Sequence, residues 1–299
     1  MAEGQIMKAL SGFYYVESAG RMYTCKGRGV FRNKKITPLV GDFVQFDVIN
    51  EEEGYITKID ARKNEFIRPP IANITQAVIV NAMVQPDFST RLLDRFLTVL
   101  ESKGIQPIIL VTKKDLANET ILEELQEIKQ DYERLGYTVV FTSLEEDEDS
   151  EKRLTDIQHL FKNEVSVLVG QSGVGKSSLL NRLQPELTID TNEISVSLGR
   201  GKHTTRHIEL WKVHEGLVAD TPGFSAIELT DIKAEELSDC FVEIKELAPQ
   251  CKFRSCLHDQ EPKCAVKQAV KEGKIASYRY DHYISFLKEI LSRKPRYSS

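Results

Sequence analysis

No stretch of the 299-residue sequence offers the roughly 18 consecutive apolar residues that a membrane-crossing helix requires. The segment from Met1 to Lys8 lacks the basic region followed by an apolar run that marks a secretory signal. A cytoplasmic protein without a membrane partner is therefore expected. An even framework of cysteines is missing as well. Of five cysteines, Cys25 and Cys240 stand apart, while Cys251, Cys256 and Cys264 crowd into residues 251–264. An odd, clustered set reads as a metal site before it reads as disulfides.

What is present suffices for ordinary cores, since 41% of residues are apolar, and the length suits two or three domains. The net charge of −5 is unevenly spread: residues 69–228 carry −9, and residues 1–68 and 229–299 carry +2 each. Mildly basic ends around an acidic centre fit a nucleotide-handling core flanked by modules that meet something anionic.

Short β-rich segments at 12–17, 21–26, 29–32, 42–48 and 54–60 suggest a small five-stranded barrel of the OB type, which commonly binds RNA or single strands. Pro69-Pro70 reads as a linker. Beyond it, strands at 76–82, 106–111, 138–142 and 166–169 alternate with amphipathic helices at 89–102, 118–135 and 152–161. That alternation implies a parallel sheet with helices on both faces. The acidic run 145–151 reads as a solvated loop.

The run Gly170-Gln171-Ser172-Gly173-Val174-Gly175-Lys176-Ser177-Ser178 has the spacing G-x-x-x-x-G-K-S between a strand and a helix. Glycines let backbone N–H groups converge on phosphate oxygens, a lysine reaches the β- and γ-phosphates, and the Ser177 hydroxyl can meet Mg2+. At a strand end upstream lies Thr112-Lys113-Lys114-Asp115, matching [N/T]-K-x-D. A carboxylate accepts both the N1–H and the 2-amino group of guanine, whereas adenine offers an acceptor at N1 and leaves it unpaired. Thr142-Ser143, at the next strand end, can offer a backbone N–H to guanine O6.

Downstream, Asp220-Thr-Pro-Gly223 matches D-x-x-G: Asp220 would hold Mg2+ through water and the Gly223 amide would sense the γ-phosphate. Between lies a basic stretch with His203, Thr204, Thr205 and Arg206, and one threonine, taken as Thr205 with Thr204 as the alternative, would complete the Mg2+ shell. The base-reading element thus precedes the phosphate loop, the order of a circularly permuted GTPase. The chain then leaves the nucleotide domain directly after D-x-x-G, so the C-terminal segment is coupled to the nucleotide state.

That segment carries Cys251-x4-Cys256-x-His258-x5-Cys264, four soft ligands suited to a structural zinc with no open position. Lys252, Arg254, Lys263, Lys267, Lys271 and Lys274 surround it, which suits an RNA-facing surface. Tyr283, Phe286, Leu287, Ile290 and Leu291 have helical spacing and read as packing, as does Cys240 in a helical core. The position after D-x-x-G, where many GTPases carry a water-orienting glutamine, holds Phe224. Unassisted hydrolysis should therefore be slow. His203 is the candidate catalytic residue, against the reading that it touches RNA or solvent.

The barrel, the permuted order T-K-x-D, G-x-x-x-x-G-K-S, H-T-T, D-T-P-G, and the C-x4-C-x-H-x5-C site together resemble the RsgA (YjeQ) family of bacterial ribosome-dependent GTPases, over nearly the whole chain. The resemblance implies a cytoplasmic factor acting late in maturation of the small (30S) ribosomal subunit and hydrolysing GTP faster on that subunit. It implies guanine binding by Thr112, Lys113, Lys114 and Asp115, phosphate binding by the loop from Gly170 to Ser178, and zinc on Cys251, Cys256, His258 and Cys264. It favours His203 for hydrolysis. Arg206 stands where relatives often have a third threonine, which leaves open which threonine meets Mg2+.

The expectation is a multidomain α/β monomer: an OB-like barrel at 1–68, a circularly permuted P-loop GTPase domain at 69–228, and a mostly helical zinc-binding domain at 229–299. Its cofactors are one Zn2+ and Mg2+ with GTP, and its partners are the small subunit with its rRNA and GTP or GDP. The rivals are a P-loop ATPase or kinase in which Asp115 is incidental, and a GTP-binding RNA chaperone that needs no hydrolysis for release.

Overall fold

The computed structural model describes residues 1–27, 31, 36–66, 69–145, 147–185, 208–219 and 228–293. It divides into two compact units, Met1–Val78 with Leu144–Ser225, and Ile79–Ser143 with Ala226–Ser299.

The first unit opens with a closed barrel of strands β1 (Ala2–Leu10), β2 (Phe13–Ser18), β3 (Arg21–Gly27), β4 (Phe43–Val48) and β5 (Glu53–Ile59), ordered β1-β2-β3-β5-β4. Closure removes sheet edges, and Ile6, Val16, Cys25, Phe46 and Ile56 fill the interior, each fully buried. Two sequence expectations change here. The segment 29–32 lies outside the described residues apart from Phe31, and the fifth strand is β1, which pairs with both β2 and β4. Its sequence, AEGQIMKAL, holds one β-branched residue, so local propensity concealed a strand that tertiary pairing dictates.

Pro69-Pro70 forms the turn region between β6 (Glu65–Phe66) and β7 (Ile71–Ala72), which pair antiparallel, so the expected linker is a pinned hairpin. Arg62 donates to both oxygens of the fully buried Asp42 at 2.7 and 2.8 Å, and Asn73 Nδ2 donates to the Gly41 carbonyl at 3.0 Å. Gly41 has φ +89°, and a Cβ there would lie 2.1 Å from the Ala72 carbonyl oxygen, so only glycine permits this junction.

The same unit holds β11 (Val165–Val169) parallel to β13 (Gly216–Ala219), with β12 (Leu210–Val213) antiparallel to β13. β12 departs from the expected parallel sheet because His214-Glu215 is a two-residue turn, which can join only antiparallel strands. In strand β8 (Gln76–Ala82) all residues are buried. A strand buried throughout reads as a continuous apolar run because both sheet faces are covered.

In the second unit β9 (Gln106–Thr112) runs parallel to β10 (Thr138–Phe141), in the order β10-β9-β8. Helices α1 (Thr90–Ser102) and α2 (Glu119–Arg134) start where the sequence predicts, because Ser89 Oγ and Asn118 Oδ1 accept from the backbone N–H three residues on. Helix α3 (Ser150–His159), in the first unit, begins inside the acidic run, which is otherwise an exposed loop at its described residues.

The C-terminal part carries α5 (Val242–Leu247), α6 (Ala265–Lys271) and α7 (Ser277–Leu291), and α4 (Lys176–Leu183) belongs to the first unit. α7 packs through Tyr283, Phe286 and Leu287, whereas Leu291, expected in the packing set, is 59% exposed. Cys240 is buried as expected, but at the end of a 3-10 segment, Ala234–Cys240. A buried ionic cluster in this unit centres on Arg279, 2% exposed. Its guanidinium donates to Asp94 Oδ1 at 2.5 Å and to both Glu243 oxygens at 2.7 and 2.9 Å. Asp94 also accepts from Tyr132 Oη and His282 Nδ1, each at 2.6 Å, so α1, α2, α5 and α7 meet at one satisfied polar cluster.

Candidate functional site

In the first unit β11 ends at Val169 and α4 begins at Lys176 with Gly175 as its N-cap. The loop between them turns on Gly170 (φ +143°), Gly173 (φ +81°) and Gly175 (φ +96°), conformations that L side chains avoid. Val174 is buried and anchors the loop, and Lys176 Nζ donates to the carbonyls of Gly170 (2.8 Å) and Gln171 (2.5 Å). The lysine therefore spans the loop from its helix end to its strand end. Ser177 and Ser178 occupy the first turn of α4, where free backbone N–H groups and the helix dipole favour an anion.

The Thr112–Asp115 motif lies in the second unit. Thr112 is fully buried at the end of β9, and its hydroxyl donates to the Asn81 carbonyl at 3.0 Å. Its side chain thus fixes the strand end. Lys113 takes a left-handed backbone (φ +58°) and its ammonium donates to the Gln85 carbonyl. The chain then makes a 3-10 turn, Lys114–Leu116, held by a 3.2 Å bond from the Lys114 amide to the Thr142 carbonyl. Ser143 Oγ donates to Asp115 Oδ1 at 2.6 Å. The expected contact of Thr142-Ser143 to guanine uses a backbone N–H; the hydroxyl of Ser143 has the additional task of holding Asp115.

Also in the second unit, Cys251, Cys256, His258 and Cys264 bring one donor atom each within 4.8 Å of the others. Cys251 Sγ lies 3.8 Å from Cys264 Sγ, and His258 Nδ1 lies 3.6 and 3.4 Å from those two sulfurs. A tetrahedral ion with sulfur at about 2.3 Å and nitrogen at about 2.0 Å has donor separations of about 3.5–3.8 Å, so the cluster fits one four-coordinate metal ion. Backbone amides of Ala265 and Lys267 donate to the sulfurs of Cys251 (3.3 Å) and Cys264 (3.5 Å), which supports thiolate ligation.

Burial pushes the Cys256 thiol up to about 12, with the Cys264 and Cys251 thiols adding to the rise, and burial lowers the His258 imidazole. A cation among these donors offsets the cost of the charged thiolates.

The sequence left out the groups that brace the cluster. Glu261 accepts from the amides of Leu257 (2.7 Å) and Asp259 (3.1 Å), and Tyr280 and Tyr283 donate to the carbonyls of His258 (2.6 Å) and Leu257 (3.0 Å). No spacing rule points to the two tyrosines, because they converge from another helix. Of the neighbouring cations, Lys267 donates to the Asp259 carbonyl and Lys274 pairs with Glu272, while Lys252, Arg254, Lys263 and Lys271 are exposed.

His203, Thr204, Thr205, Arg206, Asp220, Gly223 and Phe224 lie outside the described residues. Their flanks are described: β12 begins at Leu210, and β13, the parallel neighbour of β11, ends at Ala219.

Comparison with known proteins matches residues 59–230 to the RsgA GTPase family and residues 3–56 to the RsgA N-terminal domain. The chain is 59% identical to "Small ribosomal subunit biogenesis GTPase RsgA 2" of Oceanobacillus iheyensis, covering 99% of this chain and 100% of the relative. It is 56% identical to the corresponding Bacillus subtilis protein over the same shares. Among solved structures it resembles YloQ, described as a circularly permuted GTPase (TM-score 0.85, 51% identity, 99% and 97% of the two chains). It also resembles YjeQ from Thermotoga maritima (TM-score 0.85, 34% identity, 98% and 99%). With a glycine-turned phosphate loop, an upstream aspartate set by Ser143, and these matches along its full length, the chain belongs to the RsgA family of circularly permuted GTPases.

Proposed function

We propose that this protein binds the small (30S) ribosomal subunit, assists its late maturation, and hydrolyses GTP to GDP and phosphate when the subunit stimulates it. The observation that carries the GTP reading is the Ser143–Asp115 bond upstream of the phosphate loop, because it sets a carboxylate to accept the two guanine donors that adenine lacks. The ribosomal partner is supported by the names of relatives that match the whole chain.

In this reading Lys113, Lys114 and Asp115 hold the base, with Thr112 and Ser143 setting their geometry, and the loop from Gly170 to Ser178 holds the phosphates. Ser177, Thr205 and Asp220 attend Mg2+, which neutralises phosphate charge when bound. Gly223 senses the γ-phosphate, and His203 orients water because Phe224 can neither donate nor accept. The ion on Cys251, Cys256, His258 and Cys264 is zinc, given three thiolates and one imidazole.

The working modules are 1–68, 69–228 and 229–299, with the barrel and the metal module meeting rRNA, in a cytoplasmic monomer. GTP hydrolysis is to be measured alone, with small subunits and with large subunits. Stimulation by small subunits only is the expected result, and equal rates in all three would end this reading.

A further inference from the structure

The strand that joins the two nucleotide-responsive segments is gripped by the barrel. β12 and β13 form a hairpin whose first strand begins at Leu210, shortly after Thr205, and whose second ends at Ala219, immediately before Asp220. The hairpin is therefore continuous in the chain with both of those segments. Against it lies β1. Lys8 and Glu209 form an antiparallel β-bridge, with Lys8 Nζ 2.6 Å from Glu209 Oε2, and Lys212 Nζ lies 2.5 Å from Glu17 Oε1 of β2.

The grip depends on a bulge. Pairing between β1 and β2 slips between Ile6 and Lys8, so that Met7 is the extra residue. Strict alternation would place Lys8 on the same face as Ile6, which is fully buried inside the barrel. The extra residue turns Lys8 outward, toward Glu209. The two pairs have opposite polarity, cation on the barrel in one and anion in the other, so a slipped seating of the hairpin juxtaposes like charges. Cavities of about 490 and 460 Å³ flank the contact, both reached by Met7, and the second also lined by Tyr15 and Trp211. On its barrel side the hairpin is thus held by ion pairs beside open space, while Leu210, Val213, Val218 and Ala219 anchor it in the sheet core, so a pull on the barrel contact is passed along a stiff element.

We propose that the barrel acts through these two ion pairs as a restraint on the inter-switch hairpin, making Glu209 and Lys212 positioning residues for subunit-stimulated GTP hydrolysis. A barrel displaced by its partner changes the tension on the strand that leads to both Thr205 and Asp220. The proposal rests on the reading of those flanking segments as nucleotide-responsive, and the test separates the two.

Trp211, the sole tryptophan, reports on the contact. In the full-length protein its emission should differ between GDP and a non-hydrolysable GTP analogue, with binding of both measured in the same samples. Lys8→Glu and Glu209→Lys should each lower the ratio of subunit-stimulated to unstimulated kcat by about two- to fivefold, the range open to partly exposed ion pairs, and leave the KM for GTP unchanged. The charge-swapped double variant should recover the ratio. Glu209→Lys adds a cation, so a barrel that merely attracts RNA would be stimulated more, not less.

Glu17→Lys with Lys212→Glu supplies a second swap if either Lys8 variant is unstable. Unchanged ratios in the single variants, swaps that fail to recover it, or identical Trp211 emission while both nucleotides bind would each overturn the proposal. Failure to bind guanine nucleotides would instead remove the nucleotide reading on which it rests, and the proposal with it.

Discussion

Ser143 Oγ donates a 2.6 Å hydrogen bond to Asp115 Oδ1, tying the residue beyond β10 to the turn beyond β9. A hydrogen bond to a charged group is worth about 1.5–3 kcal/mol when buried, and partial exposure here reduces that to about 1 kcal/mol. Ser143→Ala should therefore weaken GTP binding about fivefold in titration calorimetry while thermal stability stays near that of the parent. Asp115→Asn presents an amine to the guanine N1–H and should erase the preference for GTP over ATP. An unaltered affinity in Ser143→Ala would mean that the backbone alone orients the aspartate.

Metal content should be one ion per chain by elemental analysis, and zinc is the expected element. Cys264→Ser should lose it and unfold at lower temperature, since binding energy at such a site is folding energy. The pH dependence has a definite sign. Burial holds the Cys256 and Cys264 thiols above their ordinary range, so loading the metal releases protons. Retention should accordingly weaken as pH falls, and a chelator should strip the ion faster in acid than in mild base. Metal loss that is independent of pH would argue against thiolate ligation.

Arg279 is 2% exposed and faces two carboxylates, Asp94 and Glu243. Burial works against its charge, and the two acids more than compensate, holding the guanidinium above its ordinary value. Arg279→Met strips Glu243 of its buried cation and leaves Asp94 only Tyr132 and His282, and should cost about 3–5 kcal/mol in urea unfolding. Replacing Asp94, Glu243 and Arg279 together by apolar residues of matched volume should cost far less, because no buried charge is stranded.

Glu289 accepts from both terminal nitrogens of Arg95 at 2.6 and 2.7 Å, and that pairing lowers its carboxyl below the usual range. A depressed carboxyl contributes stability above its unfolded value, and that contribution disappears as pH falls through the folded value. Glu289→Gln should be slightly less stable at neutral pH, and its deficit should vanish in acid. Denaturant midpoints at the two pH values test this.

The candidate site was legible along the chain as local patterns: Gly170 to Ser178, Thr112 to Asp115 and the Cys251 to Cys264 cluster have spacings that suit a phosphate, a base edge or a tetrahedral ion. Helix starts at Ser89 and Asn118 were equally local, because a capping side chain serves its own next turn. β1 was missed for the converse reason: AEGQIMKAL has weak strand propensity, and only pairing with β2 and β4 makes it a strand.

Nor did any local pattern mark Pro69-Pro70 as the turn of a pinned hairpin or Ser143 as the orienter of Asp115. The sequence by itself determined which groups this protein has for GTP and metal, and in what order, since short-range geometry needs only neighbours. Tertiary structure alone decided what holds them: the Arg279 cluster, the tyrosines behind His258, and the bulge at Met7 that turns Lys8 toward Glu209. Those contacts join residues far apart in sequence, and their free energy exists only once the barrel, sheet and helices have already packed.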